Sequence, residues 1–422
     1  MEITEWNGDI PQRPATARSE ELTAAVRAIL SEVRRRGDKA VLEFTKRFDK
    51  VDLDSLKLSA ERIAAARAQV GEAMVADLQE AIRRLELFHQ AQMPKPIDLE
   101  TSPGVRCERR HLPIERVGLY IPGGTAPLPS TVLMLGVPAR IAGCRLRVLM
   151  SPPPIDPHIL VAADLLGITE IFEVGGAQAI GALAYGTQSV PKVDKIFGPG
   201  NSWVTEAKLQ VSQEAGGAAL DLPAGPSEVM VIADASADAA FVAADLLSQA
   251  EHGADSQVLL VSDSRELLIQ VSAQVDRQLQ TLPRRAIAEQ ALEKSALLLV
   301  QNRGQMLDLC NAYAPEHLIL QIAEAREFAL AVRHAGSVFL GPWTPESAGD
   351  YASGTNHVLP TYGFARAYGG LTTESFLKTI TFQEITRRGL DDLGPVVERL
   401  ALAEGLHGHA NAVRIRLEKA AP

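Results

Sequence analysis

The stretch VGLYIPGGTAPLPSTVLMLGVPARIAGCRLRVLMSPPP, residues 117–154, sets the reading of the whole chain. A short apolar run from Val117 to Ile121 stops at Pro122-Gly123-Gly124, a helical stretch follows, and a second apolar run near 145–150 stops at Ser151-Pro152-Pro153-Pro154. Strand, glycine- or proline-rich loop, helix and strand in that order is the unit of a mostly parallel sheet with helices on both faces. The unit recurs: strands are expected near 117–121, 145–150, 169–174 and 193–197, then near 228–233, 257–262, 295–300, 317–321 and 336–340. The stretch Leu222-Pro223-Ala224-Gly225-Pro226 divides these strands into two sheets.

Working outward, residues 19–90 read as helical scaffolding. Leu22, Val26, Ile29, Leu30 and Val33 repeat at helical steps between a capping Ser19 and a stopping Gly37, and a second run passes through Val41, Phe44 and Phe48. The run from Ile63 through Val70, Met74, Leu78 and Ile82 predicts one long amphipathic helix. Beyond Gly369-Gly370, helical patterns at 374–388 and 395–404 and a short apolar stretch near 412–417 form a tail too short to bury a core of its own, so it must dock on the body or on a neighbouring subunit.

Composition excludes several classes of function. The chain has 422 residues, 46% apolar and 22% charged, which is globular rather than disordered. Its formal charge of −10, with no basic stripe, argues against a nucleic-acid partner. No window approaches the roughly 18 apolar residues of a membrane helix. The acidic start Met1-Glu2-Ile3-Thr4-Glu5 lacks the features of a signal peptide, so a cytoplasmic location is expected. Cys107, Cys144 and Cys310 are too few and too scattered for a disulfide framework or a thiolate cage.

Chemistry-bearing residues fall in the loops. Pro122-Gly123-Gly124, Ser151-Pro152-Pro153-Pro154, Gly175-Gly176 and Gly198-Pro199-Gly200 follow the first four strands, and such loops line the ligand crevice at the carboxyl ends of a parallel sheet. Asn201 is a natural cap for a helix over 202–213, whose free N–H groups would face an anion, although the Gly-x-Gly-x-x-Gly fingerprint fails at Trp203. Gln249 and His252 are three apart at the end of a helix over 236–253, a spacing that suits two ligands to one metal or simply a solvated helix end. Glu316 and His317 set a carboxylate beside an imidazole before a strand, the pair needed for proton transfer. Both can reach one site only where the backbone is irregular, and in a parallel sheet they would lie at its unusual, amino-terminal end. Asp350 opens a polar loop running to His357, while Glu404 and His409 form a second acidic and imidazole pair in the tail.

Taken together, and in order, these segments resemble the histidinol dehydrogenase family: VGLYIPGGTAPLPSTVLM at 117–134, EVGGAQAIGALAYGT at 173–187, KIFGPGN at 195–201, LPAGPSEV at 222–229, LLSQAEHG at 246–253, APEHLI at 314–319 and ESAGDYASGTNHVLPT at 346–361. The resemblance implies an α/β fold of two incomplete Rossmann-like parallel-sheet domains with small N- and C-terminal extensions. Applied to this chain, the implied division is an extension over 1–15, a discontinuous α/β domain over 16–119 and 229–370, a second over 120–228, and a C-terminal extension over 371–422 that docks on the partner subunit. It implies oxidation of L-histidinol through L-histidinaldehyde to L-histidine with two NAD, one zinc per site, in a homodimer. Zinc ligands are expected at Gln249, His252, Asp350 and His409, the last from the partner, and catalysis at Glu316 and His317. Substrate contacts are expected at Ser227 and Glu404 as well as at His317 and the four zinc ligands, and NAD contacts at Tyr120, Gln178 and Asn201. A zinc hydrolase using Glu316 as general base, and a silent ligand-binding protein on the same scaffold, are the competing readings.

Overall fold

The computed structural model of the chain describes residues 1–14, 19–123, 127–223 and 225–419. Gly124 of the first expected loop, Ala224 of the inter-sheet stretch and residues 15 and 16 at the first expected domain boundary lie outside the described residues. The chain opens with β1 (Ile3–Glu5) and four helices, α1 (Glu20–Arg36), α2 (Asp38–Phe48), α3 (Ala60–Gln69) and α4 (Glu72–Ala91). Strands β2 (Ile97–Ser102) and β3 (Val105–Pro113) form an antiparallel pair. The first alternating run is β4 (Arg116–Tyr120), α5 (Pro129–Ala142), β5 (Leu146–Ser151), α6 (Pro157–Leu165), β6 (Glu170–Glu173), α7 (Gly176–Tyr185), β7 (Lys195–Phe197), α8 (Ser202–Ser212) and β8 (Ala219–Leu220). The second is β9 (Glu228–Ala233), α9 (Ala239–Ala250), β10 (Gln257–Ser262), α10 (Arg265–Leu279), α11 (Arg285–Leu292), β11 (Ala296–Leu299), α12 (Arg303–Tyr313), β12 (His317–Gln321), α13 (Ala325–Ala329), β13 (Ser337–Leu340) and α14 (Glu346–Tyr351). Two short 3₁₀ turns, β14 (Leu377–Ile385), α15 (Arg387–Ala403) and α16 (His407–Glu418) complete the chain.

Each strand expected from the two apolar series forms, and all pair in parallel within two sheets. One runs β6-β5-β4-β7-β8; the other runs β1-β11-β10-β9-β12-β13. In each, the first strand of its run sits centrally with later strands on both sides, so the order reverses beside it, at β4/β7 and at β9/β12. Both faces of each sheet are buried, which explains the near-continuous apolar strands. Val229, Val231 and Ala233 enter one core with Val258 and Leu260, while Met230 and Ile232 enter the opposite core with Leu259 and Val261.

Local sequence fixes the element ends. The Ser19 hydroxyl accepts from Leu22 N at 3.1 Å, Glu20 and Glu21 occupy the first turn of α1, Arg34 to Arg36 its last, and Gly37 ends it at φ 59°. Two expectations need correction. The helix expected from Ile63 to Ile82 is two helices, because the chain turns extended at Val70 and Gly71 before Gly71 caps α4. The helical pattern at 374–388 is a 3₁₀ turn and a strand: Leu377 and Ile380 mimic a helical step, but Thr379, Ile380, Thr381, Phe382 and Ile385 are β-formers, and β14 pairs antiparallel along the length of β3. The helices of 20–91 pack their buried side chains into the cores built by 117–222, with Val358, Leu371 and Phe376 joining one of these cores, and β1 is an edge strand of the six-stranded sheet. Among the described residues no helix is long and apolar enough to cross a membrane.

Candidate active site

Two regions stand out, one on each sheet. At the β4/β7 reversal the carboxyl ends of the strands meet the glycine loops, the place where open parallel sheets bind ligands. Gly198 has φ +117°, and a Cβ there would stand 2.0 Å from the Tyr120 carbonyl oxygen, so only glycine lets the two strand ends close together. Tyr120 is buried, and its hydroxyl accepts from Gly176 N at 3.1 Å. Gln178 is buried in the first turn of α7, and its amide oxygen lies 2.8 Å from where a Cβ on Gly176 would stand. The Asn201 Oδ1 caps α8 by accepting from Trp203 N and Val204 N, both at 3.1 Å. Tyr120, Gln178 and Asn201 therefore lie at the carboxyl end of the same sheet.

At the corresponding end of the six-stranded sheet, polar groups are tied to one another. Asp234, just past β9, accepts from Arg303 Nη2 at 3.2 Å and from Ala323 N at 2.9 Å, and the same Arg303 nitrogen donates to Ala323 O at 2.8 Å. The polar cluster of this sheet sits at the opposite, amino-terminal end, where the sequence reading had noted a tension. Ala314, in the left-handed region at φ 54°, turns the chain out of α12, so Glu316 precedes the strand and His317 begins it. Both side chains then converge: Glu316 Oε2 lies 3.6 Å from His317 Nδ1 and accepts from Glu228 N at 2.9 Å. Glu228 is itself held by Arg13, at 2.6 and 3.0 Å, and by the Tyr313 hydroxyl at 3.1 Å.

Gln249 lies in the last turn of α9, fully buried, and His252 stands two residues past the helix at the exposed rim. With the amide nitrogen of Gln249 directed at Glu346, its oxygen lies 3.0 Å from His252 Nδ1. Asp350, four residues after Glu346 on α14, places Oδ1 at 3.6 Å from His317 Nε2, and that ring nitrogen is buried without a hydrogen-bond partner among the described residues. Ser227 adjoins the cluster in sequence, its carbonyl accepting from Gln257 N at 3.2 Å. Gln249, His252, Glu316, His317 and Asp350 thus come together, as expected. Glu404 and His409 do not join them within one chain: both are exposed, α16 packs on α15, and among the described residues no side-chain contact links either to the cluster.

Two residues of the cluster were missed in the sequence. Glu346 is buried, with Oε1 at 3.7 Å from His317 Nδ1, and its four-residue spacing from Asp350 was the available signal. His357 has Nδ1 at 2.9 Å from the Asp350 carbonyl and Nε2 at 3.4 Å from the Thr131 hydroxyl; nothing in its spacing marked it.

The electrostatics are those of a site short of positive charge. Burial pushes the carboxyls of Glu316 and Glu346 each up to about 8. Burial alone would lower His317, but Glu346, Glu316 and Asp350 outweigh it and lift the imidazole to about 10. Burial also opposes ionisation of Asp350, yet His317, with His357 and His252, holds that carboxyl below the usual range. Three carboxyls around one imidazole are what a divalent cation would neutralise, and donor atoms of His317, Glu346 and Asp350 lie within 4.8 Å of one another. Oxygen and nitrogen donors without thiolate suit zinc or a similar ion.

Glycine loops at the switch point of one parallel sheet, and a buried imidazole among carboxylates on the other, mark the chain as an α/β protein with a candidate acid–base centre. Residues 12–417 match the family model of histidinol dehydrogenase. The histidinol dehydrogenase of Photobacterium profundum is 55% identical over 408 residues, covering 97% of this chain and 92% of its own, and that of Yersinia pestis is 55% identical over 405 residues, covering 96% and 91%. The crystal structure of histidinol dehydrogenase from Elizabethkingia anophelis superposes with a TM-score of 0.95 at 47% identity, covering 99% of this chain and 97% of that one. The chain belongs to the histidinol dehydrogenase family, and is therefore an oxidoreductase.

Proposed function

We propose that the protein is a cytoplasmic homodimer that carries out the four-electron, NAD-dependent oxidation of L-histidinol through L-histidinaldehyde to L-histidine. The convergence of Gln249, His252 and Asp350 on the Glu316–His317 pair carries this reading. Gln249, His252 and Asp350, with His409 of the partner subunit, would hold zinc, which when bound supplies a fixed anchor for the amine and imidazole of the substrate. Tyr120, Gln178 and Asn201 would hold NAD, the hydride acceptor, at the carboxyl end of the five-stranded sheet.

The residues of the chain then have distinct tasks. His317 takes the alcohol proton through Nε2, the nitrogen that has no hydrogen-bond partner among the described residues. Glu316, its Oε2 fixed by the backbone N–H of Glu228, activates water on the aldehyde for the second oxidation. Ser227 of this chain and Glu404 of the partner subunit orient the substrate. The aldehyde stays bound between steps, because the groups that anchor it are remote from the reacting carbon.

The test is NADH formation, followed by absorbance, before chelation, after it, and after zinc is restored. L-Histidinol should yield two NADH per molecule in the zinc-loaded protein and none after chelation, with recovery on reloading. Undiminished turnover in metal-free protein, or no histidinol-dependent NADH at all, would contradict the proposal.

A further inference from the structure

Glu346 has no place in the ligand set or the proton transfers proposed above, yet its carboxylate is enclosed at the start of α14 and faces two of the groups that do. One is the Gln249 amide. An amide presents an NH₂ on one side and an oxygen of nearly the same size on the other, so its surroundings must decide which end meets a cation. With the nitrogen toward Glu346, the N–O distances are 2.5 and 3.3 Å and the amide oxygen faces His252 Nδ1 at 3.0 Å. Turned over, a carbonyl oxygen would press against a carboxylate in a buried setting where such a contact is costly, and the NH₂ would point away from that carboxylate and from His317 Nδ1, which stands 3.2 Å from the nitrogen in the other orientation.

We infer that Glu346 is a positioning residue for the metal centre: its carboxylate accepts from the Gln249 amide nitrogen and so fixes the amide oxygen as the donor that faces the cation beside His252. The inference rests on the metal reading of the previous section. It also accounts for a neutral amide among the expected ligands, since a carboxylate at 249 would meet that of Glu346 at hydrogen-bond distance. Glu346 and Asp350 share one face of α14, so a single helical turn supplies one ligand and the group that orients another. Partners of this kind, standing behind the ligands, commonly change metal affinity by about ten- to a hundredfold.

The experiment is zinc competition against a chromogenic chelator, on wild type, Glu346→Gln, and the double variant Glu346→Gln with Gln249→Glu, with far-UV circular dichroism to confirm folding. Glu346→Gln should weaken zinc binding about tenfold or more, because an amide at 346 no longer dictates the orientation of Gln249. The double variant exchanges carboxylate and amide, restores a donor–acceptor pair, and should bind zinc within a few-fold of wild type. Wild-type affinity in Glu346→Gln, or a double variant no tighter than Glu346→Gln, overturns the inference while leaving the metal centre intact. A wild type that takes up no zinc overturns the centre and this role together. Should Glu346→Gln fail to fold, the double variant decides alone: native and tight supports the role, anything else contradicts it.

Discussion

His317 shows how much one buried side chain depends on its neighbours. Its ring lies among Glu316, Glu346 and Asp350 at 3.6 to 3.7 Å, so without a cation it keeps a proton that a general base must give up. Raised values for Glu316 and Glu346 mean that the folded chain holds more protons than the unfolded chain from about pH 4.5 to 8, and His317 does the same from about 6.5 to 10. Both trends make the metal-free protein lose stability as pH rises. Its thermal midpoint should therefore fall between pH 6 and pH 9, and zinc should raise the midpoint more at pH 9 than at pH 6, because binding displaces those protons. Calorimetry of chelated and zinc-loaded protein checks this; a midpoint of the chelated form that climbs toward pH 9 would contradict it. At this scale the sequence showed Glu316, His317, Gln249, His252 and Asp350 through local spacing and family resemblance. It did not show Glu346 or His357, whose importance comes from contacts made across α9, α14 and β12.

At the scale of elements, what could be read depended on burial. Strands such as β9 and β10 are buried on both faces and appear as unbroken apolar runs, so their limits were read to the residue. Strand β3 alternates Arg106, Glu108 and Arg110 with Cys107, Arg109 and His111, offering no apolar face to detect, and β14 pairs with it at long range. The unusual placement of the acid–base pair also becomes clear here. At the carboxyl end of the six-stranded sheet Asp234 is bonded to Arg303, while the acid–base pair stands at the amino end, where Ala314 bends the chain. The glycine loop of the other sheet makes a sharper demand. Gly198→Ala should cost roughly 2 kcal/mol or more, since φ +117° and a Cβ at 2.0 Å from the Tyr120 carbonyl cannot both be relieved without moving β4 from β7. Urea unfolding would measure the loss, and NAD titration should show weaker binding; wild-type stability would refute this account of the loop.

For the molecule as a whole, the tail is the unfinished part. In one chain Leu400 on α15, Leu406 in the turn before α16, Ile415 on α16, and Ile380, Phe382 and Ile385 on β14 stay exposed, more apolar surface than so short a segment should leave to water. The sequence reading anticipated a segment that must dock, and the proposed donation of His409 and Glu404 across a dimer gives it a destination. Mixing inactive His409→Ala with inactive His252→Ala chains, then allowing subunits to exchange, should restore about a quarter of wild-type activity, since half the dimers would be mixed and each would hold one intact site. Verified mixed dimers without activity would rule out donation in trans. The central claim is that one cation unites residues from separate parts of the fold, and diffraction from zinc-loaded crystals at the zinc absorption edge tests it most directly. One anomalous peak per site, within bonding distance of Gln249, His252, Asp350 and His409 of the partner subunit, is the predicted result; no peak, or a peak held by His317, Glu346 and Asp350 without Gln249 and His252, would contradict it.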